Sequence, residues 1–389
     1  MALFPIATPK AHSLTGRITQ PLLLASFKAV KRNRGAAGID KVSIKMFAAN
    51  LKDNLLALEG DLKNGSYQPL PLRRHFLAKG GGKFRPLGIP AVRDRVAQEV
   101  VRRLLTPRFE PLFHQASFGF RPKRNCHQAL ELALQYHAQG YRVLLDADID
   151  GFFDHLPQAL IKEAVAAQVA DGNILNLIEK FLRAGVMDKG VFQPTTVGTP
   201  QGGVVSPLLA NIVLNHLDWQ LDALGYRFVR YADDFVVLCL SKTQAEEAKT
   251  KVTHILDQLG LRLSAEKTRI TTYGKGYTFL GFVMSSRSRR MRPKSIQKFQ
   301  DKVRELTVRS QNLDAQLIVE LNRVIQGTAH YFAPRWSTSR WGLRKLDQWL
   351  RRRLRCMKYK RFSYHDNRRM RRKQFERLGL LSLESFCQV

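Results

Sequence analysis

Two neighbouring aspartates, Asp233 and Asp234, close the pentad Arg230-Tyr231-Ala232-Asp233-Asp234. Apolar runs flank it, Phe228-Val229 before and Phe235-Val236-Val237-Leu238 after. Short Val- and Phe-rich runs of this kind read as buried strands. Two such strands around a polar pair predict a hairpin with the carboxylates at its tip. Adjacent carboxylates repel each other, and more strongly when withdrawn from water. A divalent cation removes the conflict, because hard ions such as Mg2+ take carboxylate oxygens and bring phosphates with them. An acidic surface turn would also show a bare Asp-Asp pair, so the chemistry depends on what else the chain supplies.

The first partner lies in Val143-Leu144-Leu145-Asp146-Ala147-Asp148, which reads as a strand, with a turn at Gly151 leading into Phe152-Phe153. Strand alternation places Asp146, Asp148 and Asp150 on one side, and the pattern alone does not choose among them. Carboxylates from separate strands that hold two Mg2+ ions suit in-line phosphoryl transfer. One ion activates an attacking 3'-hydroxyl and the other steadies the leaving pyrophosphate.

The elements that must position these groups are visible at coarser grain. Residues 1 to about 70 read as mostly helical, with Leu22, Leu23, Phe27 and Val30 at helical spacing. The loop Gly35-Ala36-Ala37-Gly38-Ile39-Asp40 interrupts them. A Gly-rich turn at Gly80-Gly81-Gly82-Lys83 precedes Arg85-Pro86-Leu87-Gly88-Ile89-Pro90. A helix is expected from Asp94 to Leu105, closed by Pro107. Gly198-Thr199-Pro200-Gln201-Gly202-Gly203 opens an apolar helix through Leu214. From about residue 285, Arg287, Arg289, Arg290, Arg292 and Lys294 read as a basic linker, and amphipathic helical patterns run on to Leu380.

Composition narrows the function classes. A chain of 389 residues with 44% hydrophobic content predicts two or three domains with proper cores. Its 64 Lys and Arg against 32 Asp and Glu give a formal charge of +32. Such an excess predicts a polyanionic partner, nucleic acid or an anionic membrane surface. Between Arg351 and Arg377 stand 13 Lys or Arg against two acidic residues. No run approaches 18 apolar residues, which argues against a membrane-spanning helix. Met1 to Gln20 do not read as a secretory signal. Cys126, Cys239, Cys356 and Cys387 are scattered without a Cys-x-x-Cys pair. That argues against a zinc site and against a disulfide framework, and it fits a reducing, cytoplasmic compartment.

Taken together, these stretches resemble the reverse transcriptases of the group II intron lineage, over nearly the whole chain. In that family the first metal-binding Asp lies five residues before an aromatic that closes the sugar pocket, a spacing met by Asp148 and Phe153. Tyr231-Ala232-Asp233-Asp234 matches the second element. The resemblance implies that Asp148, Asp233 and Asp234 are catalytic and hold two Mg2+ ions, with Mn2+ as a substitute. It also implies that Phe153, by clashing with a 2'-hydroxyl, selects deoxynucleotides.

The longest match runs from Gly198 to Asn211, with Gln201 as a contact to nucleotide or template. Lys83 and Arg85 match the segment that grips the incoming triphosphate, a task suited to the Arg fork. Leu263-Ser264-Ala265-Glu266-Lys267-Thr268 places Lys267 near the same triphosphate. Phe279-Leu280-Gly281-Phe282 resembles the hairpin under the primer end. Asp94-Arg95-Val96-Ala97-Gln98 matches too, as does Ser117-Phe118-Gly119-Phe120-Arg121-Pro122, which puts Arg121 on the template path. Gly35 to Asp40 resembles the lineage's N-terminal extension. Leu321 to Gly327, Tyr331-Phe332 and Leu346 to Leu354 resemble its maturase or thumb domain, with Arg351, Arg352, Arg353 and Arg355 turned to phosphate. No His-Asn-His endonuclease pattern is present, and the maturase region runs short at its C-terminal end.

The expectation is therefore an α+β protein, a right-hand polymerase with a small antiparallel palm sheet and an α-helical thumb. Residues 1–59 would form an N-terminal helical extension, 60–284 the fingers and palm, and 285–389 the thumb or maturase domain. The expected partners are an RNA template and primer, DNA, and the protein's own intron RNA, with no membrane; oligomeric state stays open. Two alternatives accompany this expectation: a free-standing relative serving DNA repair or phage defence, and an RNA-binding splicing factor with a vestigial site.

Overall fold

Residues Met1–Ile270 pack as one unit and Thr271–Val389 as a second in the computed structural model. It describes residues 3–4, 6, 9–80, 83–199, 201–308 and 310–387, without the side chains of residues 78–80 and 83. The N-terminal helices are α1 (Gln20–Arg32), α2 (Ile44–Ala49) and α3 (Leu51–Asn64). The hairpin β1 (Leu72–Gly80) and β2 (Lys83–Ile89) follows, then α4 (Val92–Phe109), α5 (Cys126–Ala138) and β3 (Val143–Asp148). Next come α6 (Phe152–His155), α7 (Gln158–Ala166), α8 (Gly172–Arg183), β4 (Val186–Asp188) and β5 (Val191–Gln193). The run α9 (Ser206–Ala223), β6 (Arg227–Tyr231), β7 (Asp234–Cys239), α10 (Lys242–Gln258) and β8 (Arg269–Thr272) completes this part of the chain.

The apolar runs around the Asp pair become β6 and β7 of a four-stranded sheet ordered β6-β7-β3-β8. Phe235, Val236, Val237, Leu238 and Cys239 are all fully buried, so β7 has both faces covered and therefore reads as an unbroken apolar run. Phe235, Val237 and Cys239 join Leu145 and Ala147 of β3 in one core with α9 and α10. Helix α5 packs against β6 and β7. Each large side chain buried this way contributes about 1.5–3 kcal/mol. The expected small antiparallel sheet, in an α+β arrangement, is the sheet observed.

A second sheet, ordered β2-β1-β4-β5, is built on the β1–β2 hairpin, with Arg73 opposite Ile89 and Leu77 opposite Arg85. Helix α4 ties this sheet to its neighbours. Tyr67 donates to Asp94 Oδ1 at 2.6 Å, and the Leu70 backbone N–H donates to Asp94 Oδ2 at 3.0 Å. Arg95 Nη2 donates to the Ala36 carbonyl at 2.5 Å, and Gln98 Oε1 accepts from the Val204 N–H at 2.6 Å. The stretch Asp94 to Gln98 is thus a set of ties that fix the Gly35–Asp40 loop and the start of α9. Pro107 does not close α4, which continues to Phe109. It lies in the last turn, where a missing N–H costs only one terminal hydrogen bond.

The second unit carries β9 (Tyr277–Phe279), β10 (Phe282–Met284) and β11 (Arg289–Met291) in one antiparallel sheet, then α11 (Pro293–Leu306), α12 (Ala315–Phe332), α13 (Arg340–Tyr359), α14 (Asp366–Arg369) and α15 (Arg372–Arg377). The stretch expected as a basic linker is instead β11 and the first turn of α11. Met291 pairs with Phe282, and Arg289 Nε donates to the Trp336 carbonyl at 2.8 Å, partners that residue type alone does not reveal. Helix α13 is amphipathic as expected, burying Leu343, Leu346, Leu350, Leu354 and Met357. No helix among the described residues is long and apolar enough to cross a membrane.

Candidate active site

The Asp pair does sit at a hairpin. Tyr231 pairs with Asp234, so the loop between β6 and β7 is just Ala232 and Asp233. Ala232 has φ of 59°, in the region that two-residue hairpins usually fill with Gly or Asn. Neighbours hold the turn in that state. Ser117 bridges Arg230, with the Arg230 N–H donating to Ala116 and the Phe118 N–H to the Arg230 carbonyl, both at 2.9 Å. Gly119 lies so close that a Cβ there would sit 2.4 Å from the Ala232 nitrogen, which only Gly tolerates.

The Arg230 side chain is fully buried. Its Nε and Nη2 donate to Asp218 Oδ1 and Oδ2 of α9 at 2.7 and 2.5 Å. Its Nη1 donates to Asn211 Oδ1 and to the Ala232 carbonyl, each at 3.0 Å. Asp218 is likewise fully buried, so losing one partner would strand a charge at a cost of about 3–5 kcal/mol. Sequence reasoning gave Arg230 and Asp218 no role. The available signal was a charged residue inside an apolar strand, which burial forces to be paired.

Asp148 ends β3 directly opposite Asp234 on β7, and directly opposed residues share a sheet face. Asp233, at the tip between the strands, has its carboxyl raised by burial and then by the charge of Asp148, while Arg85 and Lys267 act the other way. Asp148 Oδ2 accepts from Lys267 Nζ at 2.6 Å. That contact arises because the chain at 262–264 runs beside 148–150: Ser264 donates to the Asp148 carbonyl at 2.8 Å and Asp150 to the Arg262 carbonyl at 2.9 Å. Of the other two candidates, Asp146 is engaged by Arg269 Nε at 3.0 Å, and Asp150 lies beyond the end of β3 and is exposed.

Among the described residues, no three His, Cys, Asp or Glu side chains stand close enough to hold a metal ion. Asp148, Asp233 and Asp234 nonetheless fit one chemically. They offer only hard carboxylate oxygens from two paired strands. The ammonium of Lys267 already serves as a cation on Asp148, and burial first, then the charge of Asp148, raises the carboxyl of Asp233, a penalty on the ionised form that a bound cation would relieve.

Of the residues expected on the nucleotide side, Phe153 and Gln201 line one cavity. Gly151, at φ 48°, starts α6, and Phe153 stands half-buried against Phe152 with ring centroids 5.1 Å apart. The Thr199 N–H donates to the Phe153 carbonyl at 2.8 Å. Gln201 reaches both carboxylate oxygens of Asp154 at 3.1 and 3.0 Å, and its carbonyl accepts from the Gly88 N–H at 2.7 Å. Gly202, at φ 114°, leaves no room for a Cβ, which would meet the Gly88 carbonyl at 2.2 Å. A cavity of about 270 Å³ results, with Arg74, Gly88, Phe153, Asp154, Thr199 and Gln201 among its lining residues. Arg85 is exposed on β2, and its charge reaches Asp233. The side chain of Lys83 lies outside the described residues.

The basic residues divide unevenly between protein and solvent. Arg121 is buried, with Nε on Glu110 and Nη1 on the carbonyls of His114 and Ser117 at 2.6 and 2.8 Å. On α13, Arg353 donates to Thr307 Oγ1 and to its carbonyl, both at 3.0 Å, and Arg355 donates to the Met370 carbonyl at 2.8 Å. Arg351 is half-buried, and Arg352 is exposed beside the ring of Tyr364.

An antiparallel sheet with acidic residues on two paired strands, beside a cavity with an aromatic and a glutamine in its wall, defines the palm of a nucleic-acid polymerase. Residues 77–284 match the model of the reverse transcriptase (RNA-dependent DNA polymerase) family, and residues 296–376 match the group II intron maturase-specific domain. Protein YkfC of Escherichia coli (strain K12) is 35% identical over 307 residues, 68% of this chain and 80% of that protein. The group II intron-encoded protein LtrA of Lactococcus lactis subsp. cremoris is 42% identical over 170 residues, 43% of this chain and 28% of that protein. Among solved structures, a partial Cas6-RT-Cas1–Cas2 complex aligns with a TM-score of 0.41 and 24% identity, covering 64% of this chain and 41% of that one. The chain belongs to the reverse transcriptase family, the RNA-directed DNA polymerases, and bears a group II intron maturase domain behind the polymerase region. Dependence on a divalent metal and binding of RNA and DNA come with those two domains.

Proposed function

We propose that this chain extends a primer 3'-end with deoxynucleotides on an RNA template, and that Asp148, Asp233 and Asp234 hold two Mg2+ ions for that reaction. When bound, the ions supply Lewis-acid activation of the primer hydroxyl and neutralise charge on the leaving pyrophosphate. The observation that carries this reading is the register of β3 and β7, which sets Asp148 opposite Asp234 with Asp233 at the adjoining tip.

The other residues bind and orient. Arg85 and Lys83 grip the triphosphate from β2, and Lys267 moves from Asp148 to triphosphate oxygens as these arrive. Phe153 excludes a 2'-hydroxyl at the wall of its cavity. Gln201, steadied by Asp154, meets the nucleotide or template. Arg121 braces the loop before α5 from within, and Arg352 and Arg351 are the thumb cations that meet phosphate. The natural RNA partner in this reading is the protein's own intron. A splicing-only role is disfavoured, because without metal the site would keep carboxylates that repel one another.

Primer extension on poly(rA)/oligo(dT) in Mg2+ tests the proposal. Incorporation of dTTP that disappears in Asp233→Asn supports it. No incorporation in Mg2+ or Mn2+ by the folded protein would refute it.

A further inference from the structure

We infer that Arg230 is a positioning residue: from its buried ion pair with Asp218 it clamps the Ala232 carbonyl and thereby sets the carboxylate of Asp233 for metal binding. The inference rests on the assignment of Asp233 as a metal ligand.

An ion pair with both partners fully buried is an expensive way to fill a core, and well-packed apolar side chains of similar size often serve stability as well. What an apolar pair cannot do is reach a specific backbone atom. Arg230 divides its planar fork between two tasks. Nε and Nη2 lie on Asp218, which fixes the plane of the guanidinium, and Nη1 is thereby aimed at the Ala232 carbonyl. The same Nη1 donates to Asn211 Oδ1, and Asn211 Nδ2 donates to the Gly119 carbonyl at 2.8 Å. Gly119 in turn lies against the Ala232 backbone. The contacts form a closed ring, Arg230 to Asn211 to Gly119 to Ala232 and back to Arg230.

The ring surrounds the one residue of the hairpin loop with positive φ, a conformation that alanine adopts only when its surroundings enforce it. Asp233 is the next residue. Its carboxyl direction follows from the peptide plane between Ala232 and Asp233, and the clamped carbonyl belongs to that plane. A lysine could carry the charge but not the fork, since one ammonium cannot hold both Asp218 oxygens and still fix the Ala232 carbonyl.

The double variant Arg230→Met with Asp218→Leu removes both charges together and keeps the core apolar, and Arg230→Lys keeps the charge without the fork. Each is compared with the parent in three measurements: thermal melting, Mn2+ binding to the free protein by EPR, and primer extension on poly(rA)/oligo(dT). The expected result is a cooperative melt with Mn2+ affinity about 10–100-fold weaker, the usual cost of losing a partner that orients a ligand. A matching fall in kcat is expected, with KM for dTTP unchanged. A merely structural role would lower the melting temperature and leave Mn2+ affinity alone. Parent-like Mn2+ affinity in a folded variant overturns the inference; should the double variant fail to fold, Arg230→Lys decides it by the same measurements. Asp233→Asn separates the two ways to fail. If it loses Mn2+ while the Arg230 variants keep it, the clamp alone is wrong; if it keeps Mn2+ as well, the assignment of Asp233 falls and takes the clamp with it.

Discussion

Lys267 Nζ lies 2.6 Å from Asp148 Oδ2, so the acidic end of β3 is met by a cation from the segment that follows α10. The hydrogen bond to Asp148 raises the ammonium above its ordinary value of 10.5, and Lys267 stays charged throughout the neutral range. Both groups are partly exposed, so the pair contributes at most about 1 kcal/mol to stability. Lys267→Ala is therefore expected to leave the melting temperature nearly unchanged. If the ammonium serves the triphosphate, KM for dTTP should rise about tenfold, the loss of roughly 1.4 kcal/mol of binding. Steady-state extension across a dTTP series checks this, and an unchanged KM removes Lys267 from the nucleotide site.

Asp233→Asn should separate activity from stability. Burial, and after it the charge of Asp148, raises the Asp233 carboxyl, so the folded metal-free protein disfavours the ionised form. A neutral Asn at the same place should leave melting without metal equal to the parent's or slightly higher. Extension should fall about a thousandfold, on the scale of losing a principal charge-stabilising group. Melting curves with and without Mg2+, beside single-turnover extension, measure both effects. A variant that melts lower but still extends would mean Asp233 is structural.

Phe153 shares a cavity wall with Gln201 and the Thr199 backbone, and Thr199 holds the Phe153 carbonyl in place. If its ring excludes the 2'-hydroxyl, Phe153→Val makes room there. Ribonucleotide use relative to deoxynucleotide should then rise about tenfold or more, a change of roughly 1.4 kcal/mol. Competition between UTP and dTTP on a poly(rA) template reads the ratio directly. Sugar selectivity equal to the parent's would reduce Phe153 to a core aromatic packed on Phe152.

The strands around the site were legible because burial on both faces leaves an apolar run, as in β7, and because acidic residues inside such runs stand out. Choosing Asp148 over Asp146 needed the family spacing. The structure adds a physical difference in register: both are ion-paired, but Asp148 stands opposite Asp234 whereas Asp146 stands opposite Val236. Arg121 shows what motif reading misses, since a cation in a matched stretch looks the same whether it faces template or, as here, the Glu110 carboxylate. Arg230 and Asp218 stayed hidden for the converse reason. Their pairing joins a strand to a preceding helix: a charge inside an apolar run signals that Arg230 needs a partner, but nothing in the sequence names Asp218. Strand β11 reads as linker from its residue types because its hydrogen-bond partners lie in other segments.

The thumb arginines should fall into two experimental classes. Arg353 spends its donors on Thr307, so Arg353→Ala should cost stability, about 1–3 kcal/mol for the carbonyl and hydroxyl it leaves behind. Arg352 is exposed over the Tyr364 ring, so Arg352→Ala should melt like the parent and bind template-primer more weakly whatever its sequence. The slope of log affinity against log salt should also fall by about one, the mark of a lost phosphate contact. Titrations at several salt concentrations test the assignment, and an unchanged slope for Arg352→Ala would return it to the solvated surface.

Stability should also depend on pH through His137, at the end of α5 and away from the acidic site. The ring is buried, 4% exposed, and Nδ1 lies 2.7 Å from the Tyr141 carbonyl. Burial lowers its pKa from 6.5, partly offset by that hydrogen bond. The folded protein therefore holds the ring neutral while the unfolded chain still takes up a proton, and in that window the unfolded state binds more protons. Stability from this group is complete above pH 6.5, starts to fall as pH drops through 6.5, and is lost by the lower folded-state value. Acid also protonates carboxylates, so the comparison must be with His137→Gln, which keeps a donor for Tyr141 and does not titrate there. Urea midpoints near about pH 7.5 and about pH 5.5 should converge more closely in the variant than in the parent. Equal pH dependence in the two proteins would mean that the ring gains its proton without cost, and that α5 opens to water more readily than its packing on β6 implies.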